Sequence, residues 1–226
     1  MAFRDRADAG RRLANRLDHL RGCDAVVLGV TRGGVPVALE VARALDLPLD
    51  VVVVERIQDP FVSAVTLGAV AEGGISVFDD SALSSAWISE GAFGALVAGL
   101  VAEVERRARA VRAGRASLML ARRTALLVDD GVATGATALA AVRTVRARGA
   151  QRVVLAVPVA EADAMASLDD EVDETVCVDR QPWVPSIGRL YREYPPTTYE
   201  EVAEILHRAG IRSPYRGPRS ASDRAA

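Results

Sequence analysis

Apolar residues fall along the chain in short runs separated by stretches with helical spacing. AVVLGV (25–30), LDVVVVE (49–55), TALLVD (124–129), RVVLAVPV (152–159) and ETVCV (174–178) read as strands, most of them too continuously apolar to leave one face in water. VPVALEVARALD (35–46) reads as a helix with Pro36 in its first turn. GATALAAVRTVRARG (135–149) puts Leu139, Val142 and Val145 on one face and ends at Gly149. Leu13, Leu17 and Leu20 have helical spacing within residues 3–20, residues 81–113 are mostly helical in pattern, and TYEEVAEIL (198–206) predicts a last helix. VTLGAVAEGGISVF (65–78) departs from this rhythm: Gly73-Gly74 between two apolar runs predicts a hairpin. Strands alternating with helices predict an α/β fold, a parallel core sheet flanked by helices, as one domain over residues 1–210. The Pro-, Gly-, Ser- and Arg-rich residues 211–226 predict a mobile tail.

Composition narrows the function classes. Half of the 226 residues are apolar, enough to bury a core without staples, and a net charge of −2 gives no bulk pull toward nucleic acid or a membrane surface. Cys23 and Cys177 form no metal or redox spacing. The N-terminus MAFRDRADAGRRLANRL has no apolar core of a secretory signal, and no apolar run approaches the roughly 20 residues of a spanning helix, so a cytoplasmic protein is expected. The chain has no lysine; apart from two histidines, every basic residue is arginine. A phosphate-loop lysine and a Schiff-base lysine are therefore both excluded.

In a parallel sheet, ligands sit beyond the carboxyl ends of the strands, and two loops there have unusual residues. TRGG (31–34) follows the first strand. DDGVATGAT (129–137) follows the third. In the second loop, Gly131, Ala133, Gly135 and Ala136 let backbone N–H groups turn inward, Thr134 and Thr137 add hydroxyl donors, and the next helix aims its N-terminal dipole at the same point. That arrangement suits a phosphate. Asp129 and Asp130 beside it are costly unless they meet donors or positive charge. A ribose 5-phosphate supplies both: its 2- and 3-hydroxyls donate to the acids, and rupture of the bond at C1 develops a ring cation that carboxylates stabilise most in the transition state.

ALLVDDGVATGATA (125–138) resembles the phosphoribosyl diphosphate (PRPP) signature of type I phosphoribosyltransferases, and GVTRGGVPVA (29–38) resembles their pyrophosphate loop. With LGAVAEGG (67–74), the layout is similar to a group of largely uncharacterised bacterial members, over roughly residues 10–208. The resemblance implies a hood subdomain, expected at about 60–80 and 180–198, PRPP as donor, Mg²⁺ as cofactor, and a small-molecule acceptor. It implies that Asp129 and Asp130 hold the ribose diol and, through water, the metal. Gly131, Ala133, Thr134, Gly135, Ala136 and Thr137 would hold the 5-phosphate; Thr31, Arg32, Gly33 and Gly34 the pyrophosphate. Arg32 is counted with the two acids as catalytic.

The chain departs from the family pattern at three places. Ala133 stands where purine-salvage members often carry an acid. Arg56, in ERIQDP (55–60), stands where related sequences usually have lysine, and offers a planar fork instead of a point charge. The segment RQPWVPSIGRLYREYPPTT (180–198), where an acceptor would be read, matches poorly. Trp183 within it is a candidate for stacking on an acceptor ring or for ordinary burial.

Arg106, Arg107, Arg109, Arg112 and Arg115 precede the third strand, where family members have a loop that closes over PRPP. A solvated helix face is the expectation for most of them, with Arg115 and Arg56 the candidates for closing on pyrophosphate. The same arginines lack the interleaved aromatics of a single-strand nucleic-acid site. His19 and His207 lie far from both loops and receive no catalytic role. Gly29, Gly33 and Gly34 do not form the dinucleotide fingerprint, although Glu55 lies near its acidic position. A homodimer is common in the family, but no heptad seam is visible. Two functions stay open: an Mg²⁺-dependent transferase acting on a nucleobase or related molecule, and a non-catalytic PRPP sensor.

Overall fold

The computed structural model describes residues 3–62 and 65–209; the predicted tail at 211–226 lies outside them. Five parallel strands form the central sheet in the order β2-β1-β6-β7-β8: β1 (Ala25–Val30), β2 (Leu49–Val52), β6 (Thr124–Val128), β7 (Arg152–Glu161) and β8 (Glu174–Gln181). β1 and β6 are completely or almost completely buried, as their unbroken apolar sequences require. Helix α2 (Gly34–Leu45) follows β1, and α5 (Ala136–Ala147) follows β6.

Helices cover both faces. One face carries Leu13 of α1 (Arg6–Ala14), Val41 of α2, Val104 of α4 (Glu90–Val111) and Val202 of α7 (Tyr199–Arg208). The other is covered by Val142 and Val145 of α5 and by a second sheet. That sheet is antiparallel, in the order β3-β4-β5: β3 (Val54–Gln58), β4 (Thr66–Ala71) and β5 (Ile75–Phe78). The β4–β5 hairpin turns at Gly73 and Gly74, both with positive φ, as the glycine pair predicts. A short helix, α6 (Ala162–Ala166), joins β7 to β8.

Two predicted elements are corrected. The run 49–55 is not one strand. It leaves the parallel sheet after Val52, and β3 mixes buried Val54 and Ile57 with exposed Arg56 and Gln58; Val54 packs in the cluster with α5 and Ile57 in the cluster with α4, so buried positions lie on both faces of the small sheet. The helical stretch 81–113 is two helices, α3 (Asp80–Ser85) and α4. Each starts at its own cap: Asp79 accepts from Ala82 N and Ser89 from Ala92 N.

Arg112 is the third correction. It is neither a solvated helix residue nor a pyrophosphate clamp but is 4 % exposed. Its Nε donates to Asp50 Oδ1 (3.0 Å), Nη1 and Nη2 donate to the two oxygens of Glu72 (2.8 and 2.9 Å), and Nη2 also reaches the carbonyl of Val51 (2.7 Å). Asp50 belongs to β2 and Glu72 follows β4, so one guanidinium joins both sheets to the end of α4.

Candidate functional site

β1 and β6 are hydrogen-bonded neighbours, with Gly29 opposite Val128, so their following loops emerge side by side. Two glycines let these loops touch. A side chain on Gly33 would place its Cβ 1.8 Å from Asp130 Oδ2; one on Gly34 would lie 2.5 Å from the carbonyl of Val128 and 2.7 Å from Asp129 Cα. Only a bare backbone reaches this close, so the TRGG loop rests directly on the paired acids. The Thr31–Arg32 peptide is cis. Thr31 is buried, and its hydroxyl both accepts from Val54 N (3.0 Å) and donates to the Val54 carbonyl (3.3 Å), tying this loop to β3.

The second loop is equally anchored. Val132 N donates to the Val159 carbonyl (3.0 Å) and Glu161 N to the Val132 carbonyl (2.9 Å), a parallel bridge to β7. Gly135, at φ 84°, turns the chain into α5. Gly131 lies under Ile187, which leaves no room for a Cβ.

Asp129 and Asp130 are 8 % and 7 % exposed. Burial, with the neighbouring charge of Asp130, pushes the Asp129 carboxyl well above the ordinary carboxylate range; the Asp130 N–H (2.8 Å to Oδ1), Arg56 and Arg6 pull the other way. Asp130 Oδ2 accepts from Arg6 Nε (2.9 Å) and from the Tyr194 hydroxyl (2.8 Å). The Tyr191 hydroxyl donates to the Asp130 carbonyl (2.7 Å).

Two adjoining cavities open here. The larger, about 420 Å³, is lined by Thr31, Arg32, Gly33, Asp129 and Asp130, by Glu55, Arg56 and Gln58 of β3, and by Arg6, Tyr194 and Thr197. The smaller, about 70 Å³, is lined by Gly131, Ala133, Thr134, Gly135 and Thr137 at the start of α5. Asp129, Arg56 and Thr137 line both. Small residues, backbone donors and a helix N-terminus around a space of this size suit one phosphate group. The larger cavity, mixing guanidinium groups and carboxylates, suits an anion that also carries hydroxyls.

The structure thus brings together residues 31–34, the two acids, Arg56 and the 131–137 loop; of these, Gly34 and Ala136, which open α2 and α5, line neither cavity. Two candidates lie elsewhere. Trp183 is 68 % exposed and lines neither cavity. Arg115 is exposed and lines neither; its Nε donates to the carbonyl of Arg112 (3.1 Å). Arg107 pairs with Glu103 and Glu55 and, with Arg106 and Arg32, borders a separate cavity of about 580 Å³. His19 pairs with Glu174 (3.0 Å), away from the site.

Sequence reasoning missed Arg6, Tyr191 and Tyr194. Arg6 is one of several arginines in an N-terminal helix, and nothing local separates it from its solvated neighbours. Tyr194 had a weak signal, an aromatic immediately before Pro195-Pro196 in the expected hood.

Among the described residues, no helix is long and apolar enough to cross a membrane. The family model described as "Phosphoribosyl transferase domain" matches residues 4–188. A protein of Mycobacterium tuberculosis (strain H37Rv), named "Putative phosphoribosyl transferase Rv0571c", is 44% identical over 207 residues, and its counterpart in strain CDC 1551 matches equally. The alignment covers 92% of this chain but 47% of those relatives, so the chain spans about half their length. The crystal structure of TT1426 from Thermus thermophilus is 40% identical, covers 91% of this chain and 98% of its own, and superposes with a TM-score of 0.73. With a parallel core sheet whose two glycine-bearing loops meet at paired acids, and with these matches, the chain belongs to the phosphoribosyl transferase domain family.

Proposed function

We propose that this protein transfers the 5-phosphoribosyl group of PRPP to a small-molecule acceptor and releases pyrophosphate. The observation that carries the reading is the contact of Gly33 with Asp130, which sets a pyrophosphate-type loop against the acids that would hold the ribose diol. The 5-phosphate would enter the small cavity at the α5 N-terminus. Arg32 and the Gly33-Gly34 backbone would take the pyrophosphate. The ribose hydroxyls would donate to Asp129 and Asp130. As the bond from C1 to pyrophosphate oxygen breaks, positive charge spreads over C1 and the ring oxygen, and the fixed carboxylates stabilise it more than they stabilise the ground state.

Magnesium suits the site as a companion of the substrate. Among the described residues no group of three or more His, Cys, Asp or Glu could hold a metal, whereas Mg²⁺ commonly keeps several waters and uses one or two carboxylates plus substrate phosphates. Asp129 and Asp130 would hold it through water, and when bound it neutralises charge on the departing pyrophosphate.

The acceptor is a nucleobase or a related small molecule. The sensor reading has one observation of its own. The rings beside the site are already covered: Arg6 lies 3.8 Å over Tyr194, and Arg107 lies 4.8 Å over Tyr199. A sensor needs PRPP contacts and no stacking platform.

Calorimetric titration of PRPP with and without Mg²⁺, run beside a pyrophosphate-release assay, tests both. Mg²⁺-dependent binding with release on adding an acceptor supports the transferase. Binding without release across a panel of bases and amines supports the sensor. No binding in either condition overturns both.

A further inference from the structure

Asp130 differs from Asp129 in having partners outside the motif. Its Oδ2 receives two donors remote from each other in sequence: Arg6, the first residue of α1, and Tyr194, beyond the short 3₁₀ turn Ile187–Leu190. Neither donor is loose. Arg6 is 9 % exposed, its Nη1 donates to the Pro195 carbonyl (2.7 Å), and its guanidinium lies on the Tyr194 ring at 3.8 Å. Tyr194 in turn packs against Tyr191, ring centroids 5.1 Å apart and planes tilted by 37°, and the Tyr191 hydroxyl holds the Asp130 carbonyl. Three side chains therefore fix both the backbone and one carboxylate oxygen of a single residue, which still lines the 420 Å³ cavity. Among the described residues, the hydrogen-bond donor to the Asp129 carboxyl is the N–H of its neighbour.

A carboxylate oxygen held by two charge-assisted or phenolic donors fixes the plane of the group and thus the direction of its other oxygen. Such support of a binding group by a second layer of hydrogen bonds is what converts a flexible side chain into a directed acceptor. We propose that Arg6 and Tyr194 are positioning residues that aim the free Oδ1 of Asp130 at the ribose diol, so that recognition of the sugar hydroxyls depends on a residue of the N-terminal helix. The inference rests on the PRPP reading. Neither residue lines the phosphate cavity, although both line the larger one, so with ribose 5-phosphate, which carries no pyrophosphate, their effect is expected at the diol.

The test separates the sugar hydroxyls from the phosphate. Ribose 5-phosphate and its 2,3-dideoxy analogue are titrated into the full chain and into Arg6→Met, Arg6→Lys and Tyr194→Phe, with PRPP–Mg²⁺ titrated into the unaltered protein as reference. Loss of one hydrogen bond to a charged group corresponds to roughly a tenfold effect or more. Arg6→Met and Tyr194→Phe are expected to weaken ribose 5-phosphate by about tenfold while leaving the dideoxy analogue within about twofold. Lysine cannot span both Asp130 and the Pro195 carbonyl with a fork, so Arg6→Lys is expected to recover only part of the loss. Equal weakening of both ligands, or of neither, would overturn the role. Tyr194→Phe keeps its ring beneath Arg6 and so reports even where Arg6→Met unfolds. An unaltered protein that binds neither PRPP nor ribose 5-phosphate would refute the PRPP reading itself. One that binds PRPP with unchanged diol selectivity in the variants would refute only this inference.

Discussion

Among the site's glycines, Gly33 leaves the least space for a side chain. A single methyl there would occupy the position of the Asp130 carboxylate, 1.8 Å away. Gly33→Ala must therefore displace the acid, the TRGG loop or both, and misplacement on this scale costs about a hundredfold in rate. The expected outcome is a drop of about that size in PRPP-dependent pyrophosphate release; an unchanged rate would mean that the contact is incidental. Gly33, Gly34 and the 129–137 acids and loop were legible in the sequence because backbone approach and paired charge leave local signatures. Arg6 and Tyr194 were not. They stand 124 and 64 residues from Asp130, and an arginine that will be buried has the same local pattern as one that will be solvated. Trp183 shows the converse: an aromatic in the expected acceptor segment is a natural candidate, but it remains exposed.

At the level of elements, α7 is tied to β3 and α4 through one phenol. The Tyr199 hydroxyl donates to Glu55 Oε1 (2.5 Å), which also receives Arg107. Burial first, then the bond to Glu55, pushes the Tyr199 phenol up to about 12; Tyr191 and Tyr194 are raised further, again chiefly by burial. An acid whose folded pKa is raised keeps its proton when the unfolded chain has lost it. Stability from these phenols is therefore complete below about pH 10 and is lost as pH climbs through about 12. Tyrosinate absorbance in the folded protein should lag behind that of the urea-unfolded chain across this interval; superimposed curves would contradict the packing around α7. The core strands were readable because runs such as AVVLGV and TALLV suit only a doubly covered sheet. The departure of β3 was not, since the same valine run continues through Val53 and the change of sheet is decided by pairing with β4, a non-local event.

For the whole molecule, the two sheets could slide or hinge were they joined only by apolar contact. Arg112 adds four hydrogen bonds that span β2, the end of β4 and the end of α4. Its partner Asp50 also accepts from Val51 N and Leu118 N, both at 2.8 Å, while Arg148 Nη1 lies 3.6 Å from Glu72 without a hydrogen bond. Arg112→Met would leave Asp50 buried without its cation and Glu72 with Arg148 Nη1 at 3.6 Å, and breaking a buried pair from one side costs about 3–5 kcal/mol. Urea unfolding at neutral pH should register a loss of that size; a change below about 1 kcal/mol would place the arginine among ordinary surface pairs. The clasp of Arg6, Asp130 and Tyr194 has a different consequence, in the order of synthesis. A ribosome delivers Arg6 before the acid loop and Tyr194 after both, whereas strands β1, β2, β6, β7 and β8 are all complete by Gln181. A nascent chain that has emerged to that point holds every strand of the central sheet. It cannot yet close the clasp on Asp130, since Tyr191 and Tyr194 have still to be added.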